Sequence, residues 1–345
     1  MSSVCLPSPA AERKRAAVAV PSHWAGLDAA RWIAAYAIVA LHALRSPALE
    51  PWRVLTRFAV PFFVAACVLL VLEGVRRHPQ RTVAQYARGR FVRIYLPFLA
   101  WSAVYLAFKM VKGRLLPEQP NDYPGWNILW MGAFYHLWFM PFILVVSLLA
   151  CLVGKATAGD QRRRRGAAAP AALAGLLLAL PPVATALARH GEYAQLVFGA
   201  APAALLAVAI GCACRRGAPC LPLPLAVLFF AASLLSLWIF GRGVLLENVA
   251  GVSLLLLALR PAAEEKGISP IFATFLHRVA QLPPLAYGIY LSHLLPIKVC
   301  EACAAKLHLP VDGKLDLAVF LISVVASTAL AWGLYKLRPL RWLVA

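Results

Sequence analysis

An all-α polytopic membrane fold, with about ten transmembrane helices and both termini cytoplasmic, is what this sequence predicts. Three observations lead there. Of 345 residues, 62% are hydrophobic and 14% charged, at a mean hydropathy of +0.73, which is far too apolar for an ordinary soluble domain. Ten segments are long and apolar enough to cross a bilayer, which takes about 20 residues each. They lie at 28–45, 54–73, 94–111, 135–154, 168–188, 195–214, 221–240, 243–260, 285–303 and 315–335. Basic residues then alternate with the connecting loops. With the N-terminus inside, inward segments hold 22 Lys and Arg and outward segments 11, with Arg31 left inside a span. That bias has the positive-inside sense. The net charge of +20 therefore follows loops rather than one groove-facing surface, which argues against nucleic acid as a partner and for membrane lipid.

Little chain is left between the spans, so one helical membrane domain at 26–338 is expected between cytoplasmic tails at 1–25 and 339–345. The first 25 residues lack a signal-peptide shape, and span one is expected to act as an uncleaved insertion signal. Most of the eight cysteines are embedded, as small polarizable core residues often are. Cys300 and Cys303 have metal-like spacing without a second Cys or His pair nearby, so no metal site is expected.

Span one carries Asp28, Arg31 and His42 in a run otherwise rich in Ala, Ile, Val and Leu. Ionisable groups are costly in lipid and should face protein or water. Eleven helical steps return to within about 20° of the starting azimuth after a rise of roughly 16 Å, so Arg31 and His42 share one face at two depths. Asp28, three residues before Arg31, falls near that face and can pair with it. Span two holds Arg57 about a turn from its start and then Pro61, which frees a backbone carbonyl and kinks the helix. Arg57 either serves an acidic ligand or oxyanion, or snorkels to outer headgroups.

The loop before span three is the most cationic and ends in Arg88, Arg90, Arg93 and Pro97. Guanidinium groups one turn apart suit a polyphosphate ligand, and they equally suit lipid headgroups. The outer stretch from Lys109 to Tyr135 carries three prolines and several aromatics that favour the membrane interface. Span four opens with His136, Leu137, Trp138 and Phe139, and span eight holds the embedded pair Glu247 and Asn248, which either line a cavity or pair with a neighbouring helix. The segment 268–285 reads as an amphipathic helix at the inner interface. Span nine begins with Tyr287, Tyr290 and His293, the last two facing the same way.

Taken together, these motifs resemble the acyltransferase 3 family of integral membrane acyltransferases. The family's Asp, nearby Arg and His eleven residues later look like Asp28, Arg31 and His42. Its Pro-Phe-Phe motif looks like Pro61 to Phe63, its Arg-rich opening of span three like Arg90 to Pro97, its His-Leu-Trp-Phe like His136 to Phe139, and its late Tyr-Gly-Ile-Tyr-Leu-x-His like Tyr287 to His293. The family's usual Ser-Gly after the second-span motif is replaced here by a run ending at Cys67 and Val68, and its occasional extra hydrolase-like domain is not expected.

The resemblance implies transfer of an acyl group, acetyl above all, from acyl-CoA to a hydroxyl of a carbohydrate or lipid-linked glycan outside the cytoplasm, in a bacterial inner membrane, with glycan-assembly proteins as possible partners. Acyl-CoA is then a donor substrate, and no bound cofactor is expected. Such transfer needs the hydroxyl proton removed and an oxyanion stabilised. His42 is the expected base, with Arg31 and Asp28 beside the donor. Arg88, Arg90 and Arg93 are expected to bind acyl-CoA, and Arg57, His136, Trp138, Tyr290 and His293 to line the pore or hold the acceptor. A flippase for polyprenyl-linked sugars, or a polysaccharide exporter, is the alternative use of the same polar pore. A pure scaffold would explain the basic loops but not the shared polar face.

Overall fold

The computed structural model describes residues 25–117, 125–158, 223–241, 244–259, 274 and 285–344. The expected N-terminal tail, the spans at 168–188 and 195–214, and nearly all of the segment 268–285 lie outside them. Among the described residues every regular element is helical. In chain order these are α1 (Ala25–Ala43), α2 (Glu50–Leu55), α3 (Ala59–Arg77), α4 (Val83–Arg90), α5 (Leu96–Leu115), α6 (Ile128–Met131), α7 (Phe139–Ala158), α8 (Leu223–Phe240), α9 (Val244–Ala258), α10 (Ala286–Ser292), α11 (Leu294–Lys306) and α12 (Gly313–Lys336). Short 3₁₀ turns precede α2, α3 and α7, and another, Arg338–Leu343, follows α12.

Among the described residues, four stretches are long and apolar enough to cross a bilayer: Pro47–Arg77, Val83–Leu115, Tyr135–Ala156 and Gly313–Lys336. Two shorter apolar helices, Pro224–Phe240 and Leu246–Ala258, pack among them. Helix α1 is long enough to join this set, but Asp28, Arg31 and His42 make it too polar to qualify by composition. It is instead the helix around which the others gather, touching α3, α9, α10, α11 and α12. Its stripe of Ala30, Ala34, Ala35, Ile38 and Val39 is almost fully buried. Small side chains let backbones approach closely, which is how helices associate where lipid supplies no hydrophobic drive.

Glycine does the same for α9. A Cβ on Gly251 would lie 2.7 Å from both the Phe58 carbonyl oxygen and the Phe62 nitrogen, and one on Gly26 would lie 2.6 Å from the Ala258 carbonyl oxygen. Helix α9 is thereby seated against the start of α3 and the start of α1. The opposite pattern marks the lipid side. Helix α12 exposes Leu317, Leu321, Ile322 and Val325, and α8 exposes Leu228, Leu235 and Ile239.

Two helices depart from α-geometry beside a proline. The connection expected to be a cationic loop folds as α4, closed by a capping box in which Thr82 and Gln85 bond each other's amides. It runs into α5 through a π-helical turn, Phe91–Tyr95, where Leu96 N–H reaches back to the Phe91 carbonyl. Pro97 follows directly and has no N–H to continue the ordinary ladder. Likewise α10 and α11 meet at His293, three residues before Pro296. The carbonyl of Leu291 at that break accepts the Tyr105 hydroxyl at 2.8 Å. A freed backbone acceptor inside a membrane bundle must find such a partner.

The close approach at Gly251 gives a signed prediction. Gly251→Ala should destabilise the detergent-solubilised protein by about 1–3 kcal/mol through overpacking. Gly74→Ala, at a helical site with nothing within 4 Å, should stabilise it by up to about 1 kcal/mol. Thermal unfolding midpoints check both signs.

Candidate active site

A cavity of about 510 Å³ opens beside α1 and runs between α3, α4, α7 and α10, with the π turn at its rim. Its charged end is made by Asp28, Arg31, Arg90 and Arg93, its walls by side chains such as Phe63, Leu70, Ile143 and Tyr287, and its far end by Phe139 and Tyr290. That volume falls in the usual range for small-molecule sites.

The charged end is only partly neutralised. Arg31 donates to the Asp28 carboxylate at 3.1 Å, one helical turn away. Arg90 is held by a different group, the Tyr86 hydroxyl, which accepts from its Nε at 2.8 Å while the guanidinium lies 5.2 Å from the Tyr86 ring centroid. Among the described residues, Arg90 and Arg93 take no part in the ion pairs, which involve Arg31, Arg45, Arg53, Arg57, Arg76, Arg77 and Lys298. The site is therefore a cationic mouth leading into an apolar channel, suited to an anionic head on an uncharged arm. The π turn carries Arg93 onto this rim, and its Ile94 carbonyl accepts the Tyr287 hydroxyl at 3.4 Å.

Beyond Tyr290 three imidazoles from three helices converge. The His42 and His293 rings stack at 5.3 Å between centroids, and the His136 ring meets that of His293 edge-on at 5.0 Å. His136 is 2% exposed and His293 wholly buried. Their backbone partners fix the tautomers, since a carbonyl can only accept. His293 Nδ1 lies 2.6 Å from the Tyr290 carbonyl oxygen and carries a proton, so Nε2 keeps its lone pair. His136 Nε2 faces the Leu291 carbonyl at 3.4 Å, leaving the lone pair on Nδ1. Neither of these lone-pair nitrogens has a hydrogen-bond partner, although both are buried. The Tyr290 hydroxyl, which divides the cavity from the cluster, donates to the His136 carbonyl.

His42 has a different partner, the hydroxyl of Tyr135 at 3.2 Å from Nδ1. The end of α1 just past His42 is fixed from the other side of the bundle. Arg45 and Ser46 donate their amides to Asp316 at the start of α12, and Arg45 Nε donates to the His42 carbonyl at 3.1 Å. Arg45 also pairs with Glu301 at 3.0 Å, and Lys298 shares the same carboxylate at 2.8 Å.

Of the residues singled out from sequence, Asp28, Arg31, Arg90, Arg93 and Tyr290 line the cavity, and His42, His136 and His293 form the cluster behind it. Arg88 is exposed and stands off the cavity. Trp138 packs on Phe139 and Phe142 along α7. Arg57 faces Glu247 across the α3–α9 contact, 3.9 Å apart and with both side chains 16% exposed, so the two embedded charges answer one another. Sequence reading passed over Tyr105, Tyr135 and Asp316. Tyr135 had a signal, standing directly before His136, whereas Asp316 reads on its own as a first-turn helix acid.

A family model described as an acyltransferase domain, that of the acyltransferase 3 family, matches residues 24–336. No curated protein and no solved structure matches the chain.

The hydrogen bonds of the cluster predict one uncommon state. Nitrogen-15 NMR of histidine-labelled protein should report the Nδ1–H tautomer for His293 and the Nε2–H tautomer for His136. The reverse pair would break the two carbonyl contacts on which the assignment stands.

Proposed function

The chain belongs to the acyltransferase 3 family, and from that premise we propose that it transfers an acyl group, acetyl in the simplest case, from acyl-CoA to a hydroxyl of an extracytoplasmic carbohydrate. The observation that carries this reading is a cationic mouth on an apolar cavity whose Tyr290 wall backs onto an imidazole cluster. Arg90 and Arg93 take the diphosphate of the donor, for which guanidinium groups offer paired donors. Arg31, held by Asp28, adds a third positive group at the same end. The pantetheine arm follows the apolar walls. It is about as long as the roughly 16 Å rise that separates Arg31 from His42 on α1. The thioester then arrives beside the imidazoles, and the acceptor comes from the opposite, His42 end.

The chemistry balances on one proton. The acceptor hydroxyl gives its proton to His42 as its oxygen attacks the thioester carbon. The tetrahedral oxyanion collapses, the carbon–sulfur bond breaks, and the CoA thiolate takes the proton back from the imidazolium. For this His42 must offer Nε2, which follows if Nδ1–H donates to the Tyr135 oxygen. His293, stacked on the same ring, and His136 behind it hold that face of α1 in place and give the acceptor a polar floor. The positive-inside bias supports a cytoplasmic position for the cationic mouth. With that orientation the donor is drawn from the compartment that makes it, and the product is left on the other side of a bacterial inner membrane.

Two measurements test the reading. Purified protein should consume acetyl-CoA in detergent, and His42→Ala should slow transfer of radiolabelled acetyl by about 10²–10⁴-fold, the usual worth of a general base. A wild-type rate in that variant removes His42 from the role. Transport of a lipid-linked glycan with no consumption of acetyl-CoA would favour an exporter instead. Arg90→Gln and Arg93→Gln should each weaken CoA binding about tenfold, the scale of one charge-assisted hydrogen bond, with an unchanged unfolding midpoint. Calorimetric affinities equal to wild type would leave these residues only a lipid-facing role.

A further inference from the structure

His42 stands in the last turn of α1, where a helix runs out of donors for its own carbonyls. The last backbone bond of α1 runs from the Leu44 amide to the Ala40 carbonyl. The next two amides, of Arg45 and Ser46, find no backbone acceptor among the described residues, and Pro47 beyond them has no N–H. Both donate instead to one carboxylate oxygen of Asp316, at 2.6 and 2.5 Å. Asp316 is buried in the first turn of α12, 270 residues further along the chain than Ser46. Bonds to an ionised acceptor are the strong kind, and they are what makes a buried carboxylate tolerable.

The same end of α1 is held at two further points. The His42 carbonyl accepts Arg45 Nε at 3.1 Å, and the Arg45 guanidinium is itself tied to Glu301 of α11 at 3.0 Å. Further back, the Tyr36 hydroxyl donates to that of Thr328 in α12 at 3.1 Å. The contacts of the imidazole, with the Tyr135 hydroxyl and the face of His293, govern how the ring turns. Where the ring stands is governed by its backbone, and the two amide bonds just past His42 end on Asp316. A reacting group displaced by about 1 Å can lose about 10²-fold in rate. We propose that Asp316 is a positioning residue for acyl transfer: by holding the Arg45 and Ser46 amides it sets the place of His42 against the acyl carbon. The inference rests on the acyl-transfer reading above and extends its machinery to a helix that lends no described side chain to the cavity.

Turnover of acetyl-CoA, expressed per CoA-binding site counted by calorimetry on the same detergent-solubilised protein, tests this. Asp316→Ala should lower turnover per site by about 10²-fold and leave CoA affinity unchanged, because Arg31, Arg90 and Arg93 stand at the cavity mouth. Asp316→Glu, which keeps the charge but sets it about 1.5 Å further out, should lose nearly as much, and carries the test if the alanine variant does not fold. Asp316→Asn keeps an oxygen for both amides and should recover turnover to within about tenfold of wild type. Asp312→Ala is the control for stability alone. It removes the N-cap of the same helix, whose carboxylate accepts the Lys314 and Leu315 amides, so it should lower the unfolding midpoint with turnover per site unchanged. Wild-type turnover per site in the variant that folds, a matching loss of its CoA affinity, or a fall as large in Asp312→Ala, overturns the positioning role and leaves the acyl-CoA reading standing. A wild-type protein that binds no CoA and consumes no acetyl-CoA overturns both.

Discussion

An ionisable side chain inside an apolar bundle must be partnered or must face a polar cavity, and the arrangement of this protein turns on how its first helix meets that demand. Helix α1 carries an ion pair at one end, Asp28 with Arg31, and an imidazole near the other, His42. Both groups lie on the protein-facing side, so the neighbours of α1 must supply a cavity at one level and hydrogen-bonding groups at the other. The small residues of its buried stripe and the glycines facing α9 let those neighbours come close. Where another charge enters the bundle the same rule holds, as between Arg57 and Glu247.

The neighbours meet the demand through interrupted helices. A regular α-helix satisfies its own backbone and offers side chains at fixed intervals. The π turn before Pro97 and the break at His293 before Pro296 free carbonyls and re-aim side chains. Arg93 and the Ile94 carbonyl at the first, and His293 with the Tyr290 and Leu291 carbonyls at the second, are the polar groups of the site. Part of the cationic mouth and part of the imidazole cluster are thus built where a proline disturbs a membrane helix, with Tyr290 standing between them.

Much of this was legible in the sequence, though not all in the same way. The shared face of Arg31 and His42 follows from helical periodicity, and the Asp28 pairing from a three-residue spacing, because both are local. The eight spans expected within the described residues all fall on helix, but the one at 285–303 is two helices broken at His293, the second is prefaced by two short turns, and among the described residues only four stretches are long and apolar enough to cross a bilayer. Each of His42, His136 and His293 was notable alone, but their convergence depends on the packing of three helices that no spacing encodes. The same holds for Arg57 with Glu247. Arg88 looked equivalent to Arg90 and Arg93, but two residues before Arg90 it leaves the opposite side of α4 and is exposed, whereas the position of Arg93 is set by the π turn, which has no reliable local signature beyond the proline that follows it. Tyr86, whose hydroxyl holds Arg90 at the cavity mouth, carries no signal in the sequence for that contact.

The central claim is that the donor lies with its phosphates at the arginine mouth and its thioester past Tyr290 at His42. The most direct measurement is a cryo-electron microscopy structure with a non-hydrolysable acetyl-CoA analogue in which a methylene lies between sulfur and carbonyl. The account predicts diphosphate density against Arg90 and Arg93, the pantetheine arm along Phe63 and Ile143, and the acyl carbonyl past Tyr290 beside His42. An analogue bound with its phosphates at the His42 end, or bound outside the channel while the channel stands open, would contradict it.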